Sequence, residues 1–210
     1  MGIFVTSCSN IRIEDCHMLR AAGHGYAAIQ VQWSNNVTII DCTIDEGVNG
    51  IKYYVSRGEV VHCRISGCSG WGIISDWDGA DLTIQGCTIL DTVAPLRAGN
   101  KAFLRGSGNV FQGSMMTLSL RQAFVTFRDC HILNGGGWSV KLEDDIRYNP
   151  GTYDLTGNWW GTTDGDQIAA WIYDANDNPQ VGTVVQYVPF LDHPVGTERK
   201  TLGGIKGMFR

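Results

Sequence analysis

The chain has 210 residues, 43% of them hydrophobic, with 27 glycines against 5 prolines and a formal net charge of −5. That length buries a real core in one domain or one repeat array, and the glycine excess demands many tight turns. No basic stripe exists to neutralise phosphates, no apolar run approaches the ~20 residues of a membrane span, and MGIFVTSCSN lacks the charged and apolar regions of a signal peptide.

In chain order, the first recognisable unit is NIRIEDCHM (10–18), followed by NVTIIDCTI (36–44), GEVVHCRI (58–65), DLTIQGCTI (81–89) and FVTFRDCHI (124–132). Aligning them places Cys16, Cys42, Cys63, Cys87 and Cys130 in one column. LRGSGNVF (104–111) and YDLTGNWW (153–160) complete the series with Asn109 and Asn158 in the cysteine slot. The repeat recurs at about 24 residues, a period that marks a solenoid. Two positions after the slot stand Met18, Ile44, Ile65, Ile89, Phe111, Ile132 and Trp160, all apolar. Three positions before it stand Ile13, Ile39, Val60, Ile84, Gly106, Phe127 and Leu155, apolar except for the glycine.

Within each unit apolar and polar residues alternate, as half-buried strands require. A kink is expected where Asp15, Asp41 or Asp129 precedes the cysteine, so that two short strands meet at a corner. A third strand per unit is legible in AAIQVQ (27–32), NGIKYY (49–54), WGIISD (71–76), MMTLSL (115–120) and WSVKLE (138–143). Residues 91–103 match poorly, and a bulge is expected there. Three short strands per period with almost no helix signal describe one coil of a parallel β-solenoid, and the count gives about seven coils.

The cysteine column predicts an inward stack of free thiols acting as small hydrophobes. Parallel Cβ vectors suit a cross-link poorly, although Cys63 and Cys68 could meet across a corner. Asn109 and Asn158 are expected to satisfy backbone groups in the coil corner. Toward the end, DGDQIAAWIYD (164–174) predicts a short helix with Asp164 or Asp166 near its start, laying Ile168, Trp171 and Ile172 over the open end. VVQYVPF (184–190) is expected to add a covering strand. DANDN (174–178) has the look of a calcium loop, but Pro179 replaces the needed glycine and Val185 the bidentate glutamate, so a cap turn is expected.

With these repeats in view, the chain resembles the right-handed parallel β-helix proteins, the broad superfamily that includes pectate lyases and polygalacturonases. The segment 157–191 resembles the C-terminal closing element common in bacterial β-helix repeat proteins. The expected organisation is an all-β, right-handed, single-stranded parallel β-helix over 1–162, a cap with a short helix over 163–195 and a polar tail over 196–210. The resemblance implies a secreted or cell-surface protein. Residues 1–9 run straight into the first coil without a capping helix. An open N-terminal end implies self-association or a preceding segment.

Functional residues are sought on the outward positions of the third strand. These are Gln30 and Gln32, Lys52 and Tyr54, Ile74 and Asp76, Thr117 and Ser119, and Lys141 and Glu143, rimmed by Trp33, Trp77 and Trp138. Aromatic faces stack on sugar rings while amides and charged groups bind hydroxyls, so a polysaccharide or oligosaccharide is the expected partner. Gln32, Trp33, Tyr54, Trp77, Trp138 and Lys141 are the candidate contacts. A plain solvated sheet face is the alternative.

Catalysis would require more. Glycoside hydrolysis uses two carboxyl groups roughly 5–5.5 Å or 6.5–9.5 Å apart, for which Asp76 with Asp78, or Glu143 with Asp144, are candidates. The resemblance to polygalacturonases extends to Gly23-His24-Gly25, but His24 precedes any paired-aspartate motif. The resemblance to pectate lyases implies carboxylate-held calcium and a basic residue that abstracts a proton. Asp76, Asp78 and Asp81 could hold the calcium, and Lys52, Arg97 or Lys141 could act as the base. Asp76, Lys52 and Glu143 are the catalytic candidates, Asp76 and Asp78 the metal candidates, and calcium the one cofactor they could take. Three functions therefore stand: carbohydrate recognition without turnover, a polysaccharide lyase or hydrolase, and a structural or self-assembling module.

Overall fold

The computed structural model describes residues 2–21, 27–144 and 151–196. The Gly23-His24-Gly25 motif and the tail beyond residue 196 lie outside the described residues. Strands wind in a fixed cycle of three through three all-parallel sheets. The front sheet contains Ile3–Thr6, Ala27–Gln32, Asn49–Tyr54, Trp71–Asp76, Ala94–Gly99, Met116–Arg121, Trp138–Leu142 and the two-residue Ile172–Tyr173. The second sheet runs from Ser9–Glu14 to Thr152–Asp154, and the third from His17–Ala21 to His131–Asn134. Six coils have all three strands. A seventh has two and ends in a single bridge between His131 and Trp159. This is the β-solenoid that the repeat predicts.

The corners explain how so regular a sequence turns. The kinks before the cysteines are real: Asp15, Asp41 and Asp129 have φ of 52°, 51° and 52°. This left-handed conformation is one that aspartate and asparagine tolerate better than most residues. Glycine takes the same corner at Gly86, Gly108 and Gly157. A second left-handed corner, between the front and second sheets, falls at Ser7, Trp33, Val55, Trp77, Asn100 and Gln122.

The core is the stack of the two apolar columns. Ile44, Ile65, Ile89, Phe111, Ile132 and Trp160 are fully buried, as are Ile39, Val60, Ile84, Phe127 and Leu155. Gly106 breaks the second column for a local reason. A Cβ there would meet the Ile84 carbonyl oxygen at 1.7 Å. All seven cysteines are free, including Cys63 and Cys68. Those of the column send their Sγ toward the carbonyl two residues back, as Cys42 does to Ile40 at 3.2 Å and Cys130 to Arg128 at 3.1 Å. Burial pushes the Cys42, Cys68 and Cys130 thiols up to about 11. Asn109 accepts from the Cys87 N–H at 2.9 Å and donates to the Ile84 carbonyl at 2.9 Å. Asn158 repeats this with Cys130 and Phe127, both at 2.9 Å.

Three expectations need correction. Residues 94–99 do not bulge. They form a regular front-sheet strand whose Arg97 aligns with Ile74 and Ser119. Pro95 disguised it, and the chain makes room with glycines: a Cβ on Gly113 would meet Pro95 Cδ at 2.5 Å. The irregularity sits one strand earlier, as a register shift between Ile89 and Thr92. Thr117 does not face outward. It is fully buried at the corner, and its hydroxyl donates to the Leu133 carbonyl at 2.6 Å.

The third correction concerns the cap. The helix spans Gly165–Ala170, N-capped by Asp164, which accepts from the Asp166 and Gln167 N–H groups. Ile168 and Ile172 are buried over the end of the stack, whereas Trp171 is only half-buried. Residues 184–190 make no regular strand. They close the seventh coil through an isolated bridge between Gln186 and Asp154, with Leu155 N donating to Gln186 O at 2.7 Å and Gln186 N to Tyr153 O at 2.9 Å, and through Gly157 N to Pro189 O at 2.7 Å. Asp174 folds its loop as a turn, accepting from Asn176 N at 2.8 Å and Val185 N at 2.9 Å.

Candidate functional site

Register places the front-face residues in two outward columns. One runs Gln30, Lys52, Ile74, Arg97, Ser119, Lys141 and Tyr173. The other runs Gln32, Tyr54, Asp76, Gly99 and Arg121, with Glu143 in the next coil. The long side chains of the first column cover its short members, so Ile74 and Ser119 are buried although they point outward.

At the edge of the second column the solenoid turns through its left-handed corner, and there an aromatic cluster forms. The Tyr54 ring lies 6.0 Å from Trp33, edge to face, and 5.8 Å from Trp77, tilted. Trp33 is 57% and Trp77 50% exposed. The backbone raises the cost of this arrangement, because Trp33 and Trp77 have φ of 47° and 81°. Bulky side chains are outliers in that conformation. Asn100, two coils from Val55 in the same corner, shows the residue type such a position accepts more easily. Two half-exposed tryptophans on strained backbone add little to the fold, and their rings are available to a ligand.

The charged groups are held around the cluster. Asp76 Oδ1 accepts from Asn100 Nδ2 at 2.7 Å and from the Trp77 N–H at 3.0 Å. Gly99 makes room, since a Cβ there would meet the same oxygen at 2.9 Å. Lys52 Nζ lies 5.7 Å from the Tyr54 ring centroid, and Arg97 lies over Trp71 at 5.2 Å. Asp78 pairs with Lys101 at 3.8 Å. Asp81 pairs with Arg105 at 2.9 Å on the second sheet. Among the described residues, no three His, Cys, Asp or Glu side chains converge on a point that could hold a metal ion.

The predicted residues are thus brought together only in part. Gln32, Trp33, Lys52, Tyr54, Asp76 and Trp77 share one edge within three successive coils. Trp138 and Lys141 lie at the far end of the face, where Trp138 packs on Tyr173 at 5.4 Å. Glu143 is three coils from Asp76, which at the strand spacing of a sheet is roughly 14 Å. Asp144 is no surface partner for it. Asp144 is buried, accepting from the Tyr153 hydroxyl at 2.7 Å and from the Gln122 N–H. Asn100 and the placement of Arg97 on the face escape the sequence reading, because the strand Ala94–Gly99 lacks the repeat pattern, and Arg121 falls one residue past MMTLSL.

A family model described as a right handed beta helix region matches residues 1–149. The chain belongs to the right-handed beta helix family. No curated protein matches it. For a member of this family the front face is one side of a rigid prism, and its outward side chains are set at fixed intervals along the solenoid axis. An extended ligand lying along that axis would meet successive coils in turn.

Proposed function

We propose that the chain recognises a carbohydrate polymer, with the Trp33–Tyr54–Trp77 corner as its principal contact. The observation that carries this reading is the pair of half-exposed tryptophans at strained corner positions on either side of one tyrosine. Sugar rings present apolar C–H faces that stack on aromatic rings, while Gln32, Lys52 and Asp76 stand beside the cluster to bind hydroxyls. The fixed coil spacing suits a repeating ligand. Membership in a β-helix family, which suggests association with polysaccharides, points the same way.

Recognition without turnover is the preferred form. Asp76 Oδ1 already accepts two hydrogen bonds, and Glu143 stands three coils away from it along the face rather than beside it. Affinity electrophoresis through a panel of soluble neutral and acidic polysaccharides tests the proposal. At least one polymer should retard the wild-type chain, and Tyr54→Ala and Trp77→Ala should restore free mobility. Release of reducing or unsaturated ends from the retarding polymer, with or without calcium, would replace recognition with catalysis. Free mobility in every polymer would overturn the reading.

A further inference from the structure

The second sheet presents an outward face that the candidate site does not use. Register aligns Arg12, Thr38, Glu59, Thr83, Arg105, Thr126 and Asp154 down its middle, one residue per coil. Charge alternates along this column: arginine, glutamate, arginine and aspartate stand at every second coil, with a threonine between each pair. Successive charges are roughly 10 Å apart, too far to pair with one another. Arg12, Arg105 and Asp154 hold partners beside the column in Glu14, Asp81 and Arg128. Glu59 is exposed and makes no ion pair among the described residues. One column over, Phe103 stacks on Phe124 at 4.6 Å and is still 45% exposed.

We infer that this face pairs with the same face of a second copy, reversed along the solenoid axis. The two-fold axis lies along the strand direction through the Thr83 coil. It sets Arg12 against Asp154 of the other copy, Glu59 against Arg105 and Thr38 against Thr126, each contact occurring twice. Every charge of the column then meets its opposite, and Glu59 gains the partner it lacks within the chain. On the axis itself Thr83 and Gln85 meet their own copies, as hydroxyls and amides can, while Asp81 has its charge held by Arg105. The same rotation brings Arg57 over the exposed Phe103 ring, because the two flank Asp81 in register.

Laid in the same direction instead, the two faces would set like charge against like, so the pattern selects the orientation as well as the partner. The contact is isologous and closes at two copies. Seven coils of five-residue strands offer roughly 500 Å² per copy, close to the lower bound of about 1,000 Å² in total for a specific interface. A weak, salt-sensitive dimer follows. The front sheet lies outside this contact, so the inference does not depend on carbohydrate recognition.

Sedimentation of the full chain over a wide concentration range tests the inference. The mass should rise from 23.0 kDa toward twice that value, and added salt should move the rise to higher concentration. Glu59→Lys and Arg105→Glu should each weaken the dimer at least about tenfold. Mixed in equal amounts, the two variants should associate again, since their altered charges then face each other across the axis. Met115→Lys, at an exposed position on another corner, should leave the dimer unchanged. Circular dichroism confirms that each variant is folded. A chain that stays monomeric at every concentration would overturn the inference. So would a dimer that both charge variants leave intact, or a mixture of the two that stays monomeric.

Discussion

Asn109 offers the sharpest test of how the solenoid is held together. Its side chain is fully buried, with Oδ1 accepting from Cys87 N and Nδ2 donating to Ile84 O, both at 2.9 Å. In Asn109→Ala the buried Cys87 N–H loses its acceptor, while the Ile84 carbonyl, paired in register with the 103–107 strand, loses only its second donor. An orphaned buried donor costs about 1–3 kcal/mol, and the variant should lose about that much. Asn109→Cys should fall between it and the wild type. A thiol in this slot still accepts weakly from the next N–H down the stack, as Cys130 Sγ does from Asn109 N at 3.4 Å. Urea denaturation of the three proteins, followed by circular dichroism with a common slope, measures the order directly. A loss below about 0.5 kcal/mol in Asn109→Ala would refute the claim that side-chain amides complete the backbone network at the corners.

Other consequences can be checked as readily. Gly106→Ala should destabilise by at least about 2 kcal/mol or fail to fold, because its Cβ meets the Ile84 carbonyl at 1.7 Å; a melting temperature equal to wild type would contradict that geometry. In the native protein a thiol reagent at neutral pH should label Cys8, which is exposed, while the buried Cys42, Cys68 and Cys130, pushed up to about 11, react only after unfolding. Arg128 holds the Asp154 carboxyl below the usual carboxylate range. That pair's contribution to stability is present above the unfolded-state value near 4 and is lost as pH falls through the depressed one. Asp154→Asn should therefore flatten the loss of stability on acidification between pH 5 and 3, and an unchanged slope would count against the pair. Trp77→Ala should abolish polysaccharide retardation while changing unfolding free energy by less than about 1.5 kcal/mol, since the half-exposed indole contributes to the fold mainly through its tilted contact with Tyr54. A large loss of stability would mean that the indole serves the fold.

The fold was legible because its physics is periodic. One inward residue every coil, in register, forces the same residue class into the same column, and Cys42, Cys63, Cys87 and Cys130 make that visible without coordinates. The aspartates before the cysteines announced the corner for the same reason, since few other side chains accept that backbone conformation. Legibility failed where a local substitution hid the period. APLRAG was unreadable as a strand because Pro95 and two small alanines erase the alternation, although the glycines around it permit the proline. Thr117 was assigned outward by strict alternation, which the corner before it does not obey.

The candidate site was less legible than the fold. Trp33, Tyr54 and Trp77 could be placed on one edge, since they recur at the coil period. That Asp76 is bound by Asn100 could not be read, because Asn100 sits at the end of a strand the pattern missed. Asp144 looked like a surface acid beside Glu143 and is instead a buried acceptor for Tyr153, a difference set by a chain crossing that no spacing reveals.

The most direct measurement is a crystal of the chain soaked with oligosaccharides prepared from whichever polymer retards it. The account predicts sugar density packed on the Trp33–Tyr54–Trp77 corner, with hydroxyls within hydrogen-bond reach of Gln32, Lys52 or Asp76. Density confined to another face, or a bare corner under saturating ligand, would contradict it.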